Sequence, residues 1–472
     1  MRDPLDKVTC GISLYGNSIG NFAVSGDHLA EIMATRTLTL RMICAIGLPL
    51  LILPLTSSGD SVSAHPHDRL NLQSALKIAE KYAPSLQIAR SQEEQAAWIT
   101  SERKAAFLPS IDLGADWNKS QPEGASGVII SSITQSVFDN GNSITQFQSA
   151  KTNERIQAEK LHLAREQVAR ELIDLFLQTT EIAFQIKIQT EQLQTFERQF
   201  HVIDGLFRQG LKTALEQSRI KAQLLRAKSQ LIETERLQVR NTNLINEKIG
   251  RTPSDLKPTP LDLDRLQRNL ESTHPDRLVE PIKNPWYRIS QLTREFQELE
   301  LKLLERERWP KVNLAWSAQY SQNGLFTLTP TDSPGINWKA GLQTTWNVWD
   351  FGARHSRVFQ AVERNNQALD LIRANIYSLE QRAETLRQEA SLVRDIRDIE
   401  AEVEATEVKN YQYLESQYRE GKMPFLDLVT ALRDRADSKT RKLRARIRDL
   451  QINIEQYSIE GRLYEWIQSL QL

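Results

Sequence analysis

Val137-Phe138-Asp139-Asn140-Gly141 is answered 211 positions later by Val348-Trp349-Asp350-Phe351-Gly352. The same offset relates Phe207-Arg208-Gln209-Gly210 to Tyr418-Arg419-Glu420-Gly421, and Gly250 to Gly461. From Asp139 to Gly250 the two copies align without a gap, which marks a duplication rather than chance periodicity. Upstream, Pro84 and Pro109 correspond to Pro285 and Pro310 at an offset of 201. The ten extra residues of copy two fall between Gln322 and Ile336 and read as a loop. The chain therefore divides into repeat one, residues 65–283, and repeat two, residues 284–472. Repeat one ends in a connector, residues 251–283, whose Pro253, Pro258, Pro260, Pro275 and Pro281 exclude one long helix.

Each copy reads helix, two strands, very long helix, tight tip, long helix. From Asn142 to Arg208 there is no Pro and one Gly, and from Ala353 to Glu420 there is neither. Leu193, Phe196, Phe200, Ile203 and Phe207 step alternately by three and four, as do Leu369, Ile372, Ile376, Leu379, Ala383, Leu386, Ala390 and Val393. That 3.5-residue repeat predicts left-handed coiled coils. Helices of roughly 70 residues would be about 100 Å long. Gly210 and Gly421 end them, and Pro424 is expected at the first helical position of the return helix.

Strands are expected near 108–138 and 310–349. Ile111, Leu113, Ala115 and Trp117 alternate with polar or small residues; so do Val312, Leu314, Trp316, Ala318 and Tyr320, and Ala340, Leu342, Thr344, Trp346 and Val348. Residues 128–138 alternate poorly. Each strand has about the 9–11 residues that cross a membrane as a tilted β-strand. Trp117, Trp309, Trp316, Trp338, Trp346 and Trp349 lie in or beside them, as in the aromatic girdles of outer-membrane barrels. Four strands cannot close a membrane barrel, because the smallest use eight and no sheet edge stays open in lipid. Several chains must share one barrel, and periodicity alone permits two or three.

Residues 1–64 read as a signal segment, with Met33 a possible start. Arg36 and Arg41 precede the apolar run Met42 to Leu55, and Val62-Ser63-Ala64 offers a small-residue cleavage site. Both cysteines, Cys10 and Cys44, fall in that segment, so the mature chain is expected to lack disulfides and thiolate metal sites. It would carry 56 basic and 55 acidic residues, which gives no reason to expect nucleic acid as partner. A mean hydropathy of −0.47 excludes a bundle of transmembrane helices.

At these residues the chain resembles the TolC-like family of outer-membrane efflux and secretion channels. Leu72-x-x-Ala75-Leu76-x-x-Ala79 followed by Pro84-x-Leu86 resembles the family's opening helix. The Phe138 and Trp349 motifs resemble its aromatic-Asp-Gly-Gly strand exit, although neither copy has the first glycine. Tyr418-x-x-Gly421 followed by Asp427 resembles its helix tip. The resemblance implies a fold that is mostly α with membrane β: an antiparallel coiled-coil α-barrel plus four strands per chain of a 12-stranded β-barrel shared by a homotrimer. It implies an outer-membrane location with a long periplasmic extension, a periplasmic adaptor docked on the tips, an inner-membrane transporter, and no catalysis or cofactor. The function so implied is the passive exit duct of a tripartite efflux pump or type I secretion system. The rival reading is a coiled-coil structural protein or adhesin of the envelope without a pore, and the Trp-bearing strands argue against it.

The resemblance places a periplasmic gate at Asp427, six residues past the tip glycine. A ring of three carboxylates would attract cations. Thr430 stands where the family often has a second Asp, and Glu216 is the equivalent of Asp427 in copy one. The tips expected to meet the adaptor are Phe207, Gly210 and Leu211 in copy one and Tyr418, Gly421 and Lys422 in copy two. Lys422 replaces a usually small residue. The histidines do not cluster at ligand spacing, and no metal site is expected.

Overall fold

The computed structural model describes residues 70–120, 124–252, 257–273, 284–323, 335–420 and 422–470. Residues 1–64, expected to be a signal segment, and Gly421 lie outside them. Repeat one contains α1 (Leu72–Tyr82), α2 (Pro84–Ala105), β1 (Ser110–Ser120), β2 (Gly124–Phe138), α3 (Asn142–Arg208) and α4 (Ala214–Lys248). A connector helix, α5 (Leu263–Thr273), follows. Repeat two contains α6 (Pro285–Arg306), β3 (Lys311–Asn323), β4 (Gly335–Thr345), α7 (Ala353–Arg419), α8 (Phe425–Glu460) and the short α9 (Leu463–Ser469). None of the described helices is long and apolar enough to cross a membrane.

The duplication is visible in how the helices end. Glycines in the left-handed region stop α3, α4 and α8: Gly210 (φ 75°), Gly250 (φ 72°) and Gly461 (φ 67°). In each case the next N–H reaches back to the carbonyl five residues earlier, Leu211 to Leu206, Arg251 to Asn246 and Arg462 to Tyr457. Lys422 bonds Gln417 in the same way at the end of α7. The far end of each return helix then meets the start of a pre-strand helix. In copy one Gly250 lies against the Tyr82 carbonyl. In copy two the buried Asn284 side chain donates to the Ile459 carbonyl (2.7 Å) and accepts from Trp286 N–H (2.8 Å), capping α6.

The strand-exit motif works as a helix start. Asp139 accepts from the N–H groups of Gly141 (3.0 Å) and Ser143 (2.7 Å), and Asp350 accepts from Arg354 N–H (2.8 Å). Burial pushes the Asp139 carboxyl up, but the Ser143 hydroxyl and the N–H groups of the turn hold it below the usual range. The position where the family has its first glycine is left-handed in both copies, at Asn140 (φ 57°) and Phe351 (φ 52°). Asn adopts that region readily, whereas Phe is strained there. Phe351 is also 93% exposed. Phe351→Gly should therefore raise the unfolding free energy by about 0.5–1 kcal/mol, and Asn140→Gly by less, in denaturant titrations. Equal effects would show that the backbone there is unstrained.

The main core sits at mid-length, where Leu172, Ile173, Phe176 and Leu177 of α3 pack with α1, α4, α5, α8 and α9. The predicted stripe of copy one forms a second core toward the tips: Phe196 and Ile203 are buried with Ile220, Leu428 and Leu432, and Leu193 and Phe200 pack on them. The copy-two stripe builds a smaller one from Leu386, Ala390, Ile452 and Ile459, with Leu379 and Val393. The connector, expected only to be Pro-rich, carries α5. Asp262 accepts from Asp264 and Arg265 N–H to start it, Leu266 is buried in the core, and Arg446 reaches Asp264.

At mid-length a clasp ties the chain's end to its beginning. Glu80 accepts from Arg90 (2.5 Å), Arg165 (3.0 Å) and the Tyr464 hydroxyl (3.0 Å). Buried Glu166 accepts from Leu463 N–H (2.9 Å) and Tyr464 N–H (3.2 Å) at the start of α9. Burial raises Glu166 to about 7 despite those bonds. Burial also acts on Glu80, but its bonds to Arg165, Tyr464 and Arg90 outweigh it and lower that carboxyl below 4.5. The signs oppose. Folding takes up a proton at Glu166 between pH 4.5 and about 7, so that contribution weakens as pH rises through this window. The Glu80 contribution is complete above pH 4.5 and is lost as pH falls below it. The melting temperature of the wild type should exceed that of Glu166→Gln by an amount that shrinks from pH 5 to pH 7.5. A pH-independent difference would remove this account.

The four strands form one antiparallel sheet in the order β1-β2-β3-β4, so the two copies join at β2–β3. Direct pairing places Ile111, Ile133, Trp316 and Ala340 in one row, Leu113, Ser131, Ala318 and Trp338 in the next, and Ala115, Ile129, Tyr320 and Ile336 in a third. Opposed residues share a face, so these rows make one face apolar. The other face carries Asp112, Gly114 and Asp116 of β1, Asn313, Ser317 and Gln319 of β3, and Asn337, Lys339 and Gln343 of β4. Val128 and Ile130 of β2 interrupt its polarity, with the small Ala315 of β3, which is why β2 alternates poorly when read alone. A bulge at Val137 ends β2. β4 stops at Thr345, earlier than expected, because its partner β3 begins at Lys311 after Pro310, which has no N–H to give. Trp346 and Val348 thus lie outside the strand.

Candidate gate, tips and membrane face

The first tip is built by two helix caps back to back. Gly210 closes α3, and Thr213 opens α4 with a reciprocal pair: Glu216 N–H donates to Thr213 Oγ1 (3.3 Å), and Thr213 N–H donates to Glu216 Oε2 (3.1 Å). Lys212 adds an ion pair to Glu216 (3.1 Å). The Thr213 N–H and Lys212 together hold the Glu216 carboxyl below its usual value. Leu211 between the caps is 67% exposed. Phe207 is half-buried.

The second tip differs. Pro424 is the N-cap of α8 (φ −62°, ψ 144°) and Phe425 its first residue, one position later than expected, because the Pro424 backbone is still extended. Lys422 is exposed and pairs with Glu420 (2.6 Å). Tyr418 packs on Phe425 with ring centroids 5.9 Å apart. Burial pushes the Tyr418 hydroxyl up, and Lys212 and Glu216 of the first tip lie close enough to act on it. The two tips thus share one apolar cluster.

Asp427 and Glu216, equivalent by sequence, have different surroundings. Glu216 is occupied by its capping box and Lys212. Asp427 sits exposed in the first turn of α8 and has no ion pair among the described residues. Thr430 is exposed and its hydroxyl returns to the Leu426 carbonyl (3.0 Å). Among the described residues no group of His, Cys, Asp and Glu could hold a metal ion.

The six tryptophans do not fall into two even belts. Trp309, Trp346 and Trp349 gather at the helix end of the sheet, where Trp346 Nε1 donates to the Arg308 carbonyl (3.0 Å) and the Arg308 guanidinium lies 5.6 Å from the Trp309 ring. Trp316 and Trp338 stand on the apolar face within the strands, and Trp117 lies near the hairpin end. Tyr320, in the row of Ala115, belongs with them, and its place needed the strand register.

Residues 75–251 match the family model described as outer membrane efflux protein. No curated protein matches the chain. Among solved structures, the outer membrane protein VceC of Vibrio cholerae is 13% identical with a TM-score of 0.67, covering 83% of this chain and 96% of that one. The CmeC outer membrane channel of Campylobacter jejuni is 13% identical with a TM-score of 0.69, covering 83% and 85%. The open state of the MtrE outer membrane channel of Neisseria gonorrhoeae is 16% identical with a TM-score of 0.65, covering 83% and 88%. At these identities the likeness is one of fold: long helices and a small antiparallel sheet. The family matched in repeat one is one of transport ducts, not enzymes.

Proposed function

We propose that this chain, TolC-like in sequence over residues 75–251 and in fold over both repeats, is one third of an outer-membrane channel-tunnel. The observation that carries the reading is the sheet: four strands whose register puts nearly every apolar side chain on one face, with both edges unpaired among the described residues. Three copies give a 12-stranded barrel with that face toward lipid and the polar face toward a water-filled lumen. The helices support the same assembly. On α7, Leu371, Leu392, Ile399 and Tyr413 are all exposed and separated by multiples of seven; on α4, so are Leu225, Ile232 and Val239. Two exposed heptad stripes on opposite flanks are what neighbouring chains would cover.

The duct is passive. Its periplasmic end is narrowed by Asp427 from each chain and opens when the tip helices part. Leu211 and the Gly210 turn dock a periplasmic adaptor, which hands over cargo from an inner-membrane transporter of an efflux pump or a type I secretion system. Purified protein should conduct ions in a planar bilayer and migrate differently before and after heating in detergent. Absence of both would sink the channel reading. Asp427→Ala should enlarge single-channel conductance and weaken block by divalent cations, whereas Glu216→Ala should chiefly destabilise its helix start, by about 1 kcal/mol. Unchanged conductance and block in Asp427→Ala would remove the gate assignment.

A further inference from the structure

We infer that the two open edges of the sheet close between neighbouring chains in one register, with Lys339 of β4 opposite the partner's Asp116 in β1. This rests on the shared-barrel reading and specifies its seam. The edges match in length, since Ser110–Ser120 and Gly335–Thr345 are both 11 residues. They run in opposite directions, so they pair antiparallel.

Within one chain, direct pairing draws the row Asp112, Ser132, Ser317, Lys339 on the polar face. Upright strands would continue that row from Lys339 onto the partner's Asp112. Barrel strands tilt by about 35–45°, and four of them span about 19 Å, so the row climbs about 13–19 Å per chain, or about four to six residues. Only even shifts keep each side chain on its face.

A shift of four toward the hairpin end aligns Thr345 with the partner's Ser110 and Gly335 with the partner's Ser120, so all 11 residues of each edge are paired. The upright register pairs seven, a shift of six pairs nine, and a shift of four the other way pairs three. In lipid, unpaired backbone groups have no water to turn to, which selects the full ladder.

The side chains agree with that choice. On the polar face Lys339 meets the partner's Asp116 and Gln343 meets the partner's Asp112. On the apolar face Trp338 meets the partner's Trp117, Ala340 the partner's Ala115, and Leu342 the partner's Leu113. Among the described residues, Asp112, Asp116 and Lys339 have no ion pair within their own chain. On the polar face the two edges thus carry opposite charge.

Residues 65–472 contain no cysteine, so paired substitutions report cleanly. The full-length chain with Cys10→Ser and Cys44→Ser as background and with Asp116→Cys and Lys339→Cys, oxidised in membranes, should give covalent dimers and trimers on a denaturing gel. Asp112→Cys with Lys339→Cys, about 13 Å out of step, should give roughly tenfold less, because a disulfide needs Cα atoms within about 7 Å. Preferential cross-linking of that pair, or of Asn118→Cys with Lys339→Cys, overturns the register. So does failure of all pairs while native mass spectrometry of the wild type in detergent gives a trimer. A wild type of single-chain mass would instead overturn the channel reading. As an independent arm, Asp116→Lys should lower the temperature at which detergent-resistant trimers dissociate, and adding Lys339→Asp should restore it. A double exchange no better than the single one counts against the pair.

Discussion

Leu113→Arg is expected to abolish outer-membrane assembly while Gly114→Arg, one residue away, is expected to permit it. Leu113 shares its row with Ser131, Ala318 and Trp338 on the apolar face. An arginine facing lipid near mid-membrane costs about 2–4 kcal/mol, and the three copies of the proposed trimer make about 6–12 kcal/mol per assembly, comparable with the whole stability of an ordinary domain. Gly114 points the other way, and a Cβ there meets nothing within 4 Å. An arginine at that position would lie on the polar face, toward the lumen of the proposed barrel. Immunoblots of outer-membrane fractions without heating should show the trimer band lost in the first variant and kept in the second. Equal levels would mean that the faces have been assigned wrongly, or that the sheet does not meet lipid.

The second large effect concerns two glycines with nearly the same backbone. Gly210 and Gly250 sit at φ 75° and 72°, so alanine at either should cost about 1–2 kcal/mol for the left-handed conformation alone. Their surroundings separate them. At Gly210 an added Cβ meets nothing within 4 Å, whereas at Gly250 it would stand 2.1 Å from the Tyr82 carbonyl oxygen. That contact is with backbone, so α1 must move or α4 must end differently. Overpacking adds about 1–3 kcal/mol, and Gly250→Ala should destabilise by about 2–5 kcal/mol in total, against about 1–2 kcal/mol for Gly210→Ala. Thermal unfolding followed by circular dichroism would rank them. A Gly250→Ala protein as stable as Gly210→Ala would show that the α1–α4 junction is not closely packed.

Much of this architecture was legible in the residue order, because the dominant elements are long and periodic. The stripe from Leu193 to Phe207 and the stripe from Leu369 to Val393 announce long helices with an apolar side, and Leu193 to Ile203 of the first and Leu379 to Val393 of the second pack in apolar clusters. The turn glycines Gly210, Gly250 and Gly461 mark helix ends because few other residues adopt their φ. What escaped was whatever depends on partners far apart in the chain. Val128-Ile129-Ile130 has no alternation of its own, and only pairing with Ser321, Tyr320 and Gln319 assigns its faces. The clasp joins Glu80 to Tyr464 across 384 positions, and no local pattern marks either residue. The short α5 was hidden by prolines on both sides of it. Glu216 and Asp427 look equivalent in the alignment of the copies. They part only in three dimensions, where a threonine cap and a lysine claim the first and leave the second exposed.

The open sheet edges have a genetic consequence. In the proposed trimer, where three chains divide the barrel wall, one good copy of the gene cannot repair the barrel. If half the chains in a cell carry a defective edge and mixing is random, about one assembly in eight contains none of them. Alleles that spoil β1 or β4 while leaving the helices able to associate should therefore be dominant. Alleles that unfold the chain before association, by striking the mid-length core, should be recessive.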